Sequence, residues 1–128
     1  MEPSLPSGDS PPVVAGLTRF AIFLVVTVNP GAEGEATARG LLADLGALVR
    51  AVGFRDLDGR LSCITGIGSD AWDRLFGTPK PKSLHPFREI RGRHHAVATP
   101  GDLLFHIRAV RMDLCFELAS QIMGRLGE

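Results

Sequence analysis

The most hydrophobic stretch of the chain is residues 20–28, FAIFLVVTV, in which both alternating sets of positions are apolar. That pattern is typical of a β-strand that is covered on both faces. Residues 33–52 follow, with alanine, leucine and valine at spacings of three and four, which predicts one amphipathic helix. Asn29-Pro30-Gly31 separates the two segments, and such a run stops regular structure.

The remaining periodic segments predict, in order, a strand, a short helix, a strand and a long helix, over residues 60–67, 69–76, 103–109 and 112–126. Ser69 is expected to cap the short helix with its hydroxyl group. Gly53 is expected to end the first long helix in the left-handed conformation. Asp58-Gly59 predicts a turn, and a connection rich in proline and arginine contains a short extended piece near residues 87–91.

This order of elements predicts an α+β fold, a ferredoxin-like β-α-β-β-α unit that lacks its final strand. In the usual ferredoxin-like strand order the fourth strand flanks the first, so residues 20–28 are expected to have an unpaired, very apolar edge. The Pro- and Ser-rich residues 1–17 are expected to be a disordered N-terminal arm. We therefore interpret residues 18–128 as one domain that needs a partner, or as part of something larger.

Composition narrows the classes of partner. Lysine plus arginine and aspartate plus glutamate number 14 each, so nothing favours nucleic acid, and the basic cluster from Arg88 to His95 is interpreted as a solvated loop. The only long apolar run is too short to span a bilayer, and the N-terminus lacks the features of a signal peptide, so a cytoplasmic location is predicted. Cys63 and Cys115 lie on apolar faces and are expected to be buried, reduced thiols.

Gly66, Gly68 and Ala71 form the pattern G-x-G-x-x-A between a predicted strand and a helix, as in a dinucleotide-binding turn. The helix that follows runs for only about two turns, too short for a crossover to a parallel strand. Asp70 would also repel a pyrophosphate group, and Glu89 lies in a loop instead of at a strand end. The sequence therefore favours a short helix whose glycines permit close backbone approach.

Four histidines are candidate ligands: His85, His94, His95 and His106. The adjacent pair points to opposite sides of an extended chain, and no zinc spacing is present. On the predicted third strand, His106 and Arg108 share the face opposite the helices, which suggests a half-polar surface towards water, another domain or a cofactor. A hydrogen-bonded interface histidine is favoured over a ligand at this position.

Side chains that could act as nucleophiles are Ser62, Ser69, Cys63 and Cys115. None lies in a G-x-S-x-G motif or beside an evident base, and Cys63 has no electropositive setting. No catalytic, cofactor-binding or metal-binding residue is therefore assigned to the chain.

Several segments together resemble the N-terminal half of dye-decolourising (Dyp-type) haem peroxidases of the bacterial cytoplasmic group, over residues 18–126. The segments are AIFLVVTV, LVRAVGFRD, LSCITGIGSDAWDRLFG, LHPFREIRG with RHHAVATPGDLLFHIRA, and MDLCFELASQIMGRLG. The runs IGSDAWDRLFG and ATPGDLLFHIRA are specific. The resemblance implies two ferredoxin-like domains, with haem b bound mainly by a C-terminal domain, and hydrogen-peroxide-dependent oxidation of dyes, phenols and other electron donors.

The resemblance also implies where the catalytic groups lie. In the family a G-x-x-D-G segment supplies the distal aspartate, with the proximal histidine and distal arginine further on. These residues contain no such segment, so no family residue is carried over and the fragment alone is expected to be inactive. A homo-oligomer and, as for some members, an encapsulin shell are implied. Two alternatives remain: a standalone interaction or assembly module, and an α+β-barrel dimer that binds a ligand through His106 and Arg108.

Overall fold

The computed structural model describes residues 16–127, so nearly all of the predicted N-terminal arm lies outside the described residues. The main elements are β1 (Phe20–Val26), α1 (Ala32–Gly53), β2 (Ser62–Ile67), α2 (Ser69–Leu75), β3 (Ile90–Arg91), β4 (His95–Ala96), β5 (Leu103–Ala109) and α3 (Met112–Leu126). Every strand and helix predicted from the periodicity is present. A 3-10 turn, Leu57–Gly59, also lies between α1 and β2.

Three strands form the main sheet in the order β1-β5-β2, and both pairings are antiparallel. His106 in β5 lies opposite Phe23 of β1 and Ile64 of β2, so one row of side chains crosses all three strands. The prediction of a ferredoxin-like β-α-β-β-α unit is confirmed. Among the described strands β1 has β5 as its one neighbour, which leaves its other edge unpaired.

The helices α1 and α3 cover one face of this sheet. The core between them is formed by apolar side chains with 0% exposure, the largest being Phe105, Leu41, Ile107, Leu118, Ile122, Val52 and Cys115. The positions on α1 and α3 repeat at three and four residues and those on β5 at two, as the hydrophobic pattern predicts. No described helix is long and apolar enough to cross a membrane.

Two predictions about helix ends are wrong. Gly53 does not adopt a left-handed conformation; the helix passes through it to Phe54, which is right-handed with φ −62°. The chain instead closes a further turn, in which the amide of Asp56 donates to the carbonyl of Gly53 at 3.1 Å. The left-handed residue of this connection is Arg60, with φ 53°.

Ser69 does not cap α2 either. Gly68 occupies the N-cap position, no side chain caps the helix, and Ser69 is buried inside the first turn. The amide of Gly68 donates to the carbonyl of Asp102 at 2.8 Å, and a Cβ at Gly68 would lie 3.1 Å from the carbonyl oxygen of Gly101. The close approach of the backbone before β5 therefore selects glycine and moves the start of the helix by one residue.

Arg74 of α2 joins the ends of three elements. Its Nε donates to Oε2 of Glu35 in α1 at 3.0 Å. Its Nη2 donates to the carbonyls of Val28 and Asn29, which follow β1, at 3.1 and 3.0 Å. Its Nη1 lies 3.5 Å from Oδ2 of Asp102, at the start of β5. The carbonyl groups exposed by the turn after β1 are thus satisfied by one guanidinium group.

Candidate domain interface on the open face of the sheet

The face of the sheet opposite the helices is open in the described chain, and we call it the open face. It is formed by alternate positions of the three strands: Ala21, Phe23, Val25, Leu104, His106, Arg108, Ser62, Ile64 and Gly66. Phe23 and Val25 are each 62% exposed and Leu104 is 38% exposed. The sequence predicted that β1 is covered on both sides, but in the described chain its outer row is exposed.

An aromatic pair lies at the centre of the open face. The rings of Phe23 and His106 are stacked, with centroids 4.2 Å apart and planes inclined by 15°. The pairing follows from the register, which places the two residues directly opposite each other on antiparallel strands. Stacking uses one face of the imidazole ring, so Phe23 shields that face of His106.

Burial and the nearby positive charge of Arg108 lower the pKa of His106 below 6.5. Arg108 lies on the same face two residues away and is only 6% exposed. Both effects disfavour the protonated imidazole. The lowered pKa favours the neutral ring, which is suited to a packed interface.

The other three histidines differ from His106 in their surroundings. His85, His94 and His95 are exposed, and the ring of His95 contacts Oε2 of Glu89 at 2.9 Å. In the described part of the chain no group of three or more histidine, cysteine, aspartate or glutamate residues could hold a metal ion.

The two thiols are buried and free, as the sequence predicts. Burial raises the pKa of Cys63 to about 11. Burial, together with the negative charge of Asp113, raises the pKa of Cys115. A thiol with a raised pKa is a poor nucleophile because the thiolate is the reactive form. Neither cysteine is a candidate catalytic group.

The glycine pattern after β2 does not form a dinucleotide site. Gly66 pairs with Leu104 of an antiparallel neighbour, and a nucleotide turn requires a crossover to a parallel strand. A Cβ at Gly66 would lie 3.5 Å from Cβ of Leu104, which is ordinary contact. Of the two glycines, Gly68 makes the close backbone approach that the sequence predicts, and Gly66 does not.

Two clefts open beside the sheet. One, of about 640 Å³, lies between the end of β1, the start of α1 and the end of α3, and Val26, Glu33, Arg125 and Gly127 contribute to its lining. The other, of about 390 Å³, lies between the start of α2 and the segments on either side of β3 and β4. The first cleft adjoins β1 only at Val26, its last residue.

The exposed elements of the chain define a class of protein: an α+β domain with one helix-covered face, one open apolar face and an unpaired strand edge. Exposed apolar surfaces of this kind mark interaction sites. The sequence model of the N-terminal region of Dyp-type peroxidases matches residues 10–128. The chain belongs to the Dyp-type peroxidase family and corresponds to its N-terminal domain.

Named relatives agree with this assignment. The chain is 56% identical over 126 residues to a dye-decolorizing peroxidase of Mycobacterium tuberculosis, covering 98% of the chain and 37% of that protein. It is 55% identical to a dye-decolorizing peroxidase of Brevibacterium linens over 130 residues, which cover 35% of that protein. The chain therefore spans just over a third of the length of these relatives.

Solved structures resemble the fold closely. The encapsulated DyP-type peroxidase of Mycobacterium smegmatis, determined by cryo-EM, superposes with a TM-score of 0.87 at 60% identity, over 92% of this chain and 38% of that one. A variant of Rhodococcus jostii DypB in complex with heme superposes with a TM-score of 0.89 at 42% identity, over 93% of this chain and 39% of that one.

Proposed function

We propose that this chain is the N-terminal part of a haem b peroxidase that uses hydrogen peroxide to oxidise dyes, phenols and other electron donors. The proposal is supported by the family membership and by the relative described in complex with heme. Haem, when bound, supplies the oxidising equivalents taken from peroxide. The resemblance implies that the haem ligand and the acid–base groups lie beyond the matched region, so the proposal assigns them to other parts of the protein.

The role proposed for this domain is structural, and the open face carries the argument. The outer row of β1 exposes apolar side chains, with Phe23 and Val25 each at 62%. Contact of apolar surface with water costs free energy, which burial of this row would recover. We assign this face to packing against the remainder of the polypeptide, because the relatives are nearly three times as long as the matched region. Docking there would remove Phe23 and His106 from solvent and support the haem-bearing part.

The experiment compares two exposed phenylalanines in the complete gene product. Phe23 on the open face is 62% exposed and Phe116 on α3 is 65% exposed. Phe23→Asp is expected to lower haem content, measured by the Soret band, and peroxide-dependent dye bleaching by at least about tenfold, since it would bury a charge at the interface. Phe116→Asp, the matched control, is expected to retain both.

A second comparison tests the assignment of the chemistry. Residues 1–128 alone, supplied with haem, are expected to show no peroxide-dependent dye bleaching. Bleaching by this fragment at the rate of the complete protein would refute the proposed division of roles. Equal haem content in both phenylalanine variants would refute the docking of the open face.

Cellular location and assembly are proposed on the same basis. One relative is an encapsulated peroxidase, and we propose that this protein also acts in the cytoplasm, as cargo of an encapsulin shell. Co-expression with an encapsulin, followed by purification of the shells, tests this by the presence or absence of the protein inside them.

A further inference from the structure

The smaller cleft, of about 390 Å³, lies between the start of α2 and the two segments that flank β3 and β4. Its volume falls within the range of about 300–1,000 Å³ that is typical of small-molecule sites. Apolar side chains form part of its wall: Leu84, Pro86, Phe87 and Pro100. Phe87 is 56% exposed, so its ring is available to a ligand. The smaller cleft therefore has the size and the aromatic wall of a site for one small ring.

The walls of the smaller cleft are held by hydrogen bonds at two places. The amide of Gly68 donates to the carbonyl of Asp102 at 2.8 Å, which joins the start of α2 to the start of β5. The indole Nε1 of Trp72 donates to the carbonyl of Pro79 at 3.1 Å, which holds the segment before β3 against α2. A cleft that is held in one shape before binding loses less conformational entropy when a ligand enters.

Ser69 supplies the smaller cleft with a buried polar group. This residue is 7% exposed and contributes to the lining. Its hydroxyl makes no hydrogen bond to any other part of residues 16–127. Buried hydroxyl groups are almost always hydrogen-bonded, and leaving one without a partner costs free energy. A molecule in the cleft would supply the partner for this hydroxyl.

Two hydrogen-bond acceptors line the same cleft. Asp70 is exposed, and within the described part of the chain its carboxylate takes part in no ion pair. The ring Nδ1 of His85 lies 2.9 Å from the carbonyl oxygen of Pro86. A carbonyl group only accepts, so in the neutral ring Nδ1 carries the proton and Nε2 is an acceptor. The polar side chains of the smaller cleft are therefore mainly acceptors.

These groups select one class of ligand. An anion would be repelled by Asp70, and a wholly apolar molecule would remove Ser69 and Asp70 from water without giving them partners. We propose that the smaller cleft binds a small aromatic molecule that carries a hydrogen-bond donor, either a phenol or an aromatic amine. Its ring lies beside Phe87, as aromatic rings prefer, and its donor meets the carboxylate of Asp70 and the hydroxyl of Ser69.

The smaller cleft adjoins the open face. A Cβ at Gly101, which is part of the lining, would lie 2.8 Å from Cγ1 of Val25 in the outer row of β1. A molecule in the cleft is thus bound at the border of the surface that we assign to packing against the remainder of the polypeptide. Phenols are among the electron donors of the proposed function. The inference rests on that function only for the use of the bound molecule, since the binding itself needs neither haem nor peroxide.

The experiment measures ligand affinity in the complete, haem-containing gene product. Phenol and aniline are titrated and followed by saturation-transfer NMR spectroscopy, and the tighter of the two shows which donor the cleft prefers. Anisole, which lacks the donor, and benzoate, which is an anion, are the controls. The preferred donor is expected to bind at least about fivefold more tightly than either control, the effect of one hydrogen bond to a charged acceptor. Anisole binding as tightly as phenol and aniline would overturn the proposal.

Two matched aspartate variants locate the binding. Asp70→Asn is expected to weaken binding of the preferred donor by about fivefold, and Ser69→Ala to change it in the same direction. Asp58→Asn is the control, because Asp58 is also exposed but lies in the turn before β2, at the opposite end of that strand from Ser69. It is expected to leave the affinity within about twofold of the wild type. Equal affinities in the two aspartate variants would overturn the proposal. Dye bleaching does not enter these measurements, so a failure of the peroxidase function would leave their outcome unchanged.

Discussion

The guanidinium Nε of Arg74 lies 3.0 Å from Oε2 of Glu35, which joins the short helix α2 to the first turn of α1. The same side chain donates to two backbone carbonyls after β1. Arg74 is 31% exposed and Glu35 is 23% exposed, so water replaces these contacts only in part. Removal of the side chain leaves acceptors without a donor in a partly buried place.

Arg74→Ala is therefore expected to lower the free energy of unfolding by about 1–3 kcal/mol, the range for losing hydrogen bonds to a charged group. Urea unfolding followed by circular dichroism measures this loss of stability. Arg125→Ala is the control, because its ion pair with Asp44 at 2.8 Å is largely exposed and its loss is expected to cost less than about 1 kcal/mol. Equal losses in the two variants would contradict the joining role of Arg74.

Two glycines of α1 are expected to respond oppositely to alanine. A Cβ at Gly34 would lie 2.5 Å from the backbone carbonyl oxygen of Asn29, whereas nothing lies within 4 Å of a Cβ at Gly40. Gly40→Ala is expected to raise the free energy of unfolding by about 0.5–1 kcal/mol, through helix propensity. Gly34→Ala is expected to lower it, because the backbone must shift. Thermal denaturation of both variants measures the changes in stability. A stabilising Gly34→Ala would contradict the close approach of Gly34 to Asn29.

The two faces of the sheet are expected to differ sharply in their tolerance of truncation. Phe105 is fully buried under the helices and Phe23 is 62% exposed on the open face. In the isolated 128-residue chain, Phe105→Ala is expected to cost about 3–5 kcal/mol. Phe23→Ala is expected to cost less than about 1 kcal/mol, since little contact is lost. Denaturant unfolding of the pair measures the difference, and comparable costs would mean that the open face is covered within this chain.

His106 is expected to make the stability of the chain depend on pH. Its pKa lies below 6.5 in the folded state, so the unfolded chain binds its proton first as the pH falls. The free energy of unfolding is therefore expected to be constant for this group above pH 6.5 and to decrease below it. His106→Phe keeps a ring against Phe23 and removes the titration. A pH series from 8 to 5 should show a shallower decrease in that variant, and identical slopes would exclude His106 as the source.

The buried thiols are expected to resist modification. With a pKa of about 11 for Cys63 against 9.0 for an unperturbed thiol, the thiolate fraction at pH 8 falls by about 100-fold. In a Cys115→Ala variant, reaction of Cys63 with a disulfide reagent at pH 8 is expected to be slower than in the urea-unfolded chain by at least that factor. Stoichiometric labelling of the native variant at the unfolded rate would contradict the burial of Cys63.

Local periodicity predicted the strands and long helices because one side of each element meets a single core. The alternation in β5 placed His106 and Arg108 on one face before any pairing was known. The stack of Phe23 on His106 depends on register between strands far apart in the sequence, which no local pattern encodes. The contacts of Arg74 and the pairing of β3 with β4 were missed for similar reasons: the former are long-range, and β3 and β4 have two residues each.

The errors at Gly53 and Ser69 have a common cause. Both residues have the intrinsic preference assumed for them, a left-handed helix end for glycine and a cap for serine. At each position a neighbouring contact overrides this preference: a further backbone turn after Gly53, and the close approach of Gly101 to Gly68. Capping preferences describe helix ends in solvent, whereas the start of α2 is fixed by the backbone that packs against it.

Asp102 has a mechanical consequence for the β3–β4 hairpin. Its carboxylate accepts the amide of Val28 at 2.7 Å, its amide donates to the carbonyl of Val26, and its own carbonyl accepts the amide of Gly68. The chain that leaves the hairpin re-enters the sheet at this residue, and the chain that enters the hairpin is held to α2 by the contacts of Pro79 and Lys80. A force applied to the hairpin is therefore shared between these two ends, and through Asp102 it reaches both β1 and α2.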